Sequence, residues 1–250
     1  MNKSKYTIIF AMVIGLFGYS QSNNLTSSPY SLFGLGVESN SGTGRNSGLG
    51  KTGISLDANY GLNLYNPASL ATVNPDEFIL DFGGTAEFVN LTGSDLNEQK
   101  STYNFTNMSF GFNSGGKYGM ALTLKPASNV GYALTGIQSN IEGSTEQFTT
   151  NIEGSGGLNE LRLDYGRPLT KNLNVGLKAS YLFGKIEETE SIITTNSYLI
   201  VEEINYYRGA QLGLGLQYKF KEKHNFGFTL DFPTVLSGTK DTEVSKYSNS

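Results

Sequence analysis

The sequence predicts an all-β fold, an antiparallel transmembrane β-barrel, and three observations carry that prediction. The 250 residues include 31 glycines, 15 tyrosines and 15 phenylalanines but only 16% charged residues, a composition that favours strands over helices. From Glu77 onward, apolar and polar residues alternate with period two in seven successive segments, as in strands with one apolar face. Short and long connections take turns along the chain, the habit of outer-membrane barrels with short periplasmic turns and longer external loops.

The chain opens with Lys3 and Lys5 ahead of an uncharged apolar run at residues 6–18, and Gly18 and Ser20 are small residues where a signal peptidase reads. Residues 1–20 are therefore a signal peptide, exporting the protein to the bacterial outer membrane. The run is shorter than the ~20 apolar residues a membrane anchor needs. No cysteine follows it to accept a lipid.

Residues 21–76 differ in kind. They are rich in Gly, Ser and Asn, lack strand-length alternation, and end in "NLYNPASLATVNPDEF". Asn66-Pro67-Ala68 is a turn signal, because the proline pushes Asn66 toward extended backbone. Such a segment ahead of a barrel fits a lumenal hatch or plug; a disordered periplasmic leader is the alternative.

The barrel proper spans residues 77–250. In 78–88, Phe78, Leu80, Phe82, Ala86 and Phe88 share one face against Ile79, Asp81, Thr85 and Glu87. Thr106, Met108, Phe110 and Phe112 oppose Asn107, Ser109 and Gly111, and Tyr118, Met120, Leu122 and Leu124 oppose Gly119, Ala121, Thr123 and Lys125. Leu161, Leu163 and Tyr165 oppose Glu160, Arg162 and Asp164, while 173–183 sets Leu, Val, Ala, Tyr and Phe against Asn174, Gly176, Lys178 and Ser180. Residues 210–220 set Leu212, Leu214 and Leu216 against Gln211, Gly213, Gly215 and Gln217, and Phe226, Phe228, Leu230 and Phe232 oppose Gly227, Thr229 and Asp231.

The joins at 113–117, 169–172 and 221–224 are short; those at 92–102, 138–145 and 191–203 are long or polar. A soluble β-sandwich would also alternate, but the polar face holds too much Gly, Ser, Thr and Lys for a packed core. Tyr118, Tyr165, Tyr181, Tyr218 and Phe220 fit the interfacial aromatic girdles. Pro126 and the glycines at 153–157 mark bends or bulges in long strands. Because barrels have even strand numbers, these seven strands read as the first half of a barrel of about fourteen. The end, from residue 237, reads as the start of an external loop of a chain truncated at 250.

The stretch "SGTGRNSGLGKTG" at 41–53 imitates a nucleotide-binding loop. Five residues rather than four separate Gly44 from Gly50, and no strand–loop–helix context surrounds it. The glycines instead suit tight turns in a crowded lumen.

A glycine-rich leader, then "GLGKTGISLDANYGLNLYNPASLA", then an acidic residue opening the first long strand, resembles the FadL/OmpP1/TodX-type outer-membrane transporters. The resemblance rests on Asn66, Pro67 and Ala68 and on strand count and loop order beyond them. It implies a fourteen-stranded barrel with a lumenal hatch, and passive uptake of long-chain fatty acids or aromatic hydrocarbons. Relatives of this barrel type also serve as non-transport subunits of outer-membrane secretion complexes. A structural subunit of a secretion or barrel-assembly complex is thus the alternative.

Candidate site residues follow. Leu32, Phe33, Leu35, Leu62, Leu64 and Tyr65 are candidates to line a ligand pocket, and Asp81, Glu87, Glu160, Arg162, Asp164, Lys178 and Asp231 are candidate lumen charges that hold the hatch. With no cysteine and one histidine, His224, no metal site or catalytic triad assembles, and no enzyme activity or cofactor is expected. Glu187, Glu188, Glu190, Glu202 and Glu203 flank one external loop, where they either stay solvated or meet calcium or lipopolysaccharide-bridged cations. With 18 basic and 22 acidic residues, nucleic acid is not an expected partner; outer-membrane lipid, lipopolysaccharide, a hydrophobic ligand and complex subunits are.

Overall fold

The computed structural model describes residues 26, 28–39, 44–50, 52–58, 61–92, 97–140, 147–194, 197–221 and 223–248; the signal-peptide assignment lies outside them. A two-residue strand β1 (Val37–Glu38) precedes β2 (Phe78–Thr92), β3 (Asn97–Ser114), β4 (Tyr118–Asn140), β5 (Gln147–Pro168), β6 (Leu173–Ile193), β7 (Ser197–Phe220), β8 (His224–Asp231) and β9 (Ser237–Ser248). Strands β2 to β8 pair in sequence order, all antiparallel, in one sheet curled into a half-barrel. Hairpin connections impose that order, since an antiparallel neighbour needs only a short turn. No helix among the described residues is long and apolar enough to cross a membrane.

The period-two pattern becomes an inside-out protein. Phe78, Leu80, Phe82, Leu161, Leu163, Leu177, Leu212, Leu214, Phe226 and Phe228 are exposed on the convex face. Asn107, Ser109, Asn113, Thr123, Glu160, Arg162, Lys178 and Gln217 are buried on the concave one. Apolar convex and polar concave faces match a strand wall between lipid and lumen, where the interstrand hydrogen-bond ladder satisfies the backbone. Bulges fall near the expected bends: the register shifts between Pro126 and Ser128, where Gly156 and Gly157 lie on the neighbouring strand at φ +114° and +144°.

Three expectations change. Of the joins read as long external loops, residues 97–102, 138–140, 191–193 and 197–203 are strand, while 93–96 and 141–145 lie outside the described residues: β6 runs to Ile193 and β7 resumes at Ser197, with Ile193 opposite Tyr198. β-Branched and aromatic residues there (Ile192, Ile193, Tyr198, Ile200, Val201) keep pairing beyond any membrane span. The segment after 237, read as a loop, is β9. The eight residues of β8 cover only the lower part of β7; the chain breaks at Pro233 and resumes along the remaining edge of β7, from Arg208↔Ser237 to Ser197↔Ser248.

The third change is a split in the wall. β3 and β4 pair only between Met108–Ser114 and Tyr118–Leu124; above that, β3 stays with β2 and β4 with β5. The leader closes part of the exposed β4 edge. β1 pairs Val37 with Asn129 and Glu38 with Ser128. The Ser31 hydroxyl donates to the Gly131 carbonyl and accepts from its N–H, both at 3.2 Å.

Candidate functional site

The leader lies against the concave face, and Asn66-Pro67-Ala68 is its anchor. Pro67 opens a 3-10 helix (Pro67–Thr72), its fixed φ suited to the first helical position. Asn66 is the extended N-cap, and its Oδ1 accepts from the Ala68 N–H at 3.0 Å. Its Nδ2 donates to the Ile54 carbonyl at 2.8 Å and to the Leu216 carbonyl of β7 at 2.9 Å. Asn66, Ala68 and Ser69 are fully buried.

This helix sits on a row of glycines. Gly119, Gly166, Gly176 and Gly215 are successive cross-strand partners on β4, β5, β6 and β7. A Cβ on Gly119 would overlap the Leu70 carbonyl; on Gly166, that of Pro67; on Gly176, the Ala68 nitrogen; on Gly215, the Asn66 Oδ1. The lumen-face glycines are thus the seat into which the hatch backbone fits.

Polar wall residues then hold hatch carbonyls. Arg162 Nη1 donates to Leu64 O at 2.7 Å, Gln217 Nε2 to Leu56 O at 3.0 Å, and Asn113 Nδ2 to Val73 O at 2.9 Å. Lys219 pairs with Asp57 at 2.8 Å. Inside the hatch, Asn63 donates to Gly53 O and Leu56 O at 2.7 and 2.9 Å and accepts from the Tyr65 N–H. Apolar packing completes the seat: Ala58, Leu62, Leu64, Leu70 and Val73 cluster with Ala121 of β4.

A second layer lies higher, where Leu32 and Leu35 pack against Val130, Tyr132 and Ile186. Tyr132 also donates to the Glu188 carboxylate, and burial together with that carboxylate pushes the phenol well above its ordinary range. Between the layers is a cavity of about 360 Å³ bordered by Glu38, Tyr65, Lys125, Glu160, Arg162 and Lys178, among others. Its cations are paired: Lys125–Glu160 at 3.1 Å, Arg162–Asp164 at 2.7 Å and Lys178–Asp231 at 2.5 Å. Ser180 adds a 2.5 Å hydrogen bond to Glu160. Burial is tolerated because every cation has an adjacent carboxylate.

Five of the seven candidate lumen charges, Glu160, Arg162, Asp164, Lys178 and Asp231, converge here. Asp81 instead accepts from Asn107 at 2.5 Å, and Glu87 is exposed beside Thr102. Of the ligand-lining candidates, Leu64 and Tyr65 border this ionic cavity, while Leu62 packs in the lower cluster and Leu32 and Leu35 in the upper. Phe33 is 68% exposed. The Tyr65 hydroxyl is buried without a hydrogen-bond partner among the described residues.

Sequence reasoning passed over Lys125, Asn113, Gln217, Lys219 and Asp57 as site residues. The signal was present for four of them, since Asn113, Lys125, Gln217 and Lys219 fall on the polar parity of their strands. Of the nucleotide-loop imitation, residues 44–50 form a short helix, α1 (Gly44–Gly48), and a turn, and a Cβ on Gly53 would overlap the Asn46 amide; residues 41–43 and Lys51 lie outside the described residues. The acidic residues stand on strands, not in a loop. Lys185 pairs with Glu187 and Lys240 with Glu203, and no three metal-ligating side chains converge among the described residues.

A family model described as BamG, a family tied to the outer-membrane β-barrel assembly machinery, matches residues 1–249. No curated protein and no solved structure matches the chain. The match favours the complex-subunit alternative over the uptake implied by the Asn66-Pro67-Ala68 resemblance.

Proposed function

The chain belongs to the BamG family, and from that premise we propose that it is an outer-membrane subunit of a barrel-assembly complex, a plugged barrel acting as a partner rather than as a conduit. The observation that carries this reading is the attachment of the hatch: Arg162, Gln217 and Asn113, on three strands, each hold a hatch carbonyl. Moving the hatch would strand each of these buried donors at about 1–3 kcal/mol apiece. A gate cycling on the binding energy of a small ligand would have to offset all of them together with the Asn66 contacts. The cavity beside the hatch supports the same reading, because ion pairs interrupt apolar side chains such as Ile54, Leu64 and Leu182 in its wall, in place of the mostly apolar lining that hydrophobic ligands prefer.

Depleting the protein from its own cells tests the proposal. The steady-state level of other outer-membrane barrels should fall, with unfolded barrels accumulating in the periplasm. Undiminished barrel levels combined with lost growth on a hydrophobic carbon source would refute it.

A further inference from the structure

The outer wall carries a feature that neither the hatch nor an assembly role explains. The positive-φ glycines Gly156 and Gly157 and the bulge at Pro126 kink β4 and β5. A groove of about 640 Å³ lies at this level, bordered by Phe105, Pro126, Tyr181, Phe183, Lys185 and Arg208, among others. On β6, Tyr181, Phe183 and Lys185 face outward, opposite Ala210, Arg208 and Tyr206 of β7. The Tyr181 and Phe183 rings stack at 5.9 Å.

The height of this patch is set by the chain. Residues 173–183 of β6 and 210–220 of β7 lead up to it from the short-turn end, matching the ~9–11 residues that cross the apolar core. Lys185 and Arg208 therefore stand at the outer headgroup level, with the apolar belt of Leu177, Leu212 and Leu214 below them. Arg208 is exposed and has no ion-pair or hydrogen-bond partner among the described residues. Lys185 reaches Glu187, but both side chains remain substantially exposed. At that level the side chains meet lipid headgroups rather than acyl chains, and a guanidinium matches phosphate in geometry.

We infer that this groove binds a phosphorylated lipid of the outer leaflet, its phosphate between Lys185 and Arg208 and an acyl chain in the aromatic groove. Lys185 and Arg208 are the charged residues bordering the groove, with Glu187 beside Lys185 and the carboxylates of Asp241, Glu202 and Glu243 on higher rows of the same face. The inference needs the barrel to sit in the outer membrane but does not need the assembly role. Lipid binding without complex partners, or partners without lipid binding, would separate the two.

The test uses the full-length protein in detergent, challenged with lipid A and with dephosphorylated lipid A, with bound lipid read by native mass spectrometry. Lipid A should be retained at least roughly tenfold more than its dephosphorylated form, and the K185Q/R208Q double variant should lose that preference. Inorganic phosphate in the millimolar range should fail to displace the lipid. Equal retention of the two lipids, an undiminished preference in the double variant, or displacement by inorganic phosphate would each overturn the inference. Should the double variant not fold, the comparison of the two lipids on the unaltered protein still decides.

Discussion

The side-chain amide of Asn66 donates to the main-chain carbonyl of Leu216 at 2.9 Å, joining two residues 150 positions apart. The same side chain caps its own 3-10 helix and holds the Ile54 carbonyl, so one buried group sets hatch conformation and hatch position together. Asn66→Ala should destabilise the folded protein by about 2–4 kcal/mol, through one lost cap and two carbonyls left without their donor. Chemical unfolding in detergent measures the loss. Limited proteolysis should show cleavage within residues 52–73 before the strands; a variant as protease-resistant as the unaltered protein would remove Asn66 from this role.

Gly176→Val tests the seat itself. The Cβ would meet the Ala68 nitrogen and the Pro67 carbonyl carbon, both backbone atoms of a buried helix that cannot rotate away. Destabilisation of at least ~3 kcal/mol is expected, or a displaced hatch with the barrel intact. Gly115→Ala is the control: a Cβ there meets nothing within 4 Å, and its φ of +55° limits the cost to backbone strain of about 1 kcal/mol. Equal stability of the two variants would contradict the fit between glycine row and helix.

How much of this was legible beforehand divides along the same line. The strand faces were readable because alternation is local: Leu161, Arg162, Leu163 and Asp164 declare their sides without reference to the rest of the chain. Asn66-Pro67-Ala68 was legible as a turn, since proline restricts its neighbour. The partners of that turn were not legible. Gly119, Gly166, Gly176 and Gly215 form a row only once four registers are known, and a shift of one residue on any strand would turn its glycine outward. Strand rather than loop at 191–193 and 197–203 was missed for a different reason. Polar residues such as Ser191 and Glu202 resemble loop, although cross-strand pairing among β-branched neighbours keeps the ladder going.

The Arg162–Asp164 pair allows a double-mutant cycle. Both side chains are at most 6% exposed and Arg162 also holds Leu64 O, so Arg162→Met alone should cost about 3–5 kcal/mol by leaving Asp164 with a weakened set of partners. Combining it with Asp164→Leu should recover part of that loss. Strictly additive unfolding energies would mean that the pair is not coupled.

Tyr65 discriminates between a packed hatch and a ligand site. Its hydroxyl is buried without a partner, and burial pushes the phenol above its ordinary range. Tyr65→Phe should therefore leave stability unchanged or raise it by up to about 1 kcal/mol. A marked loss of stability or of growth would assign that hydroxyl a partner and favour a ligand-binding lumen.

Purification of the full-length protein from its own outer membrane, in mild detergent and with quantitative mass spectrometry of what accompanies it, tests the central claim most directly. Stoichiometric recovery with other subunits of the barrel-assembly machinery is the expected result, with the hatch protease-resistant in the complex. A monomer that carries a hydrophobic small molecule and releases it when the hatch moves would contradict the account.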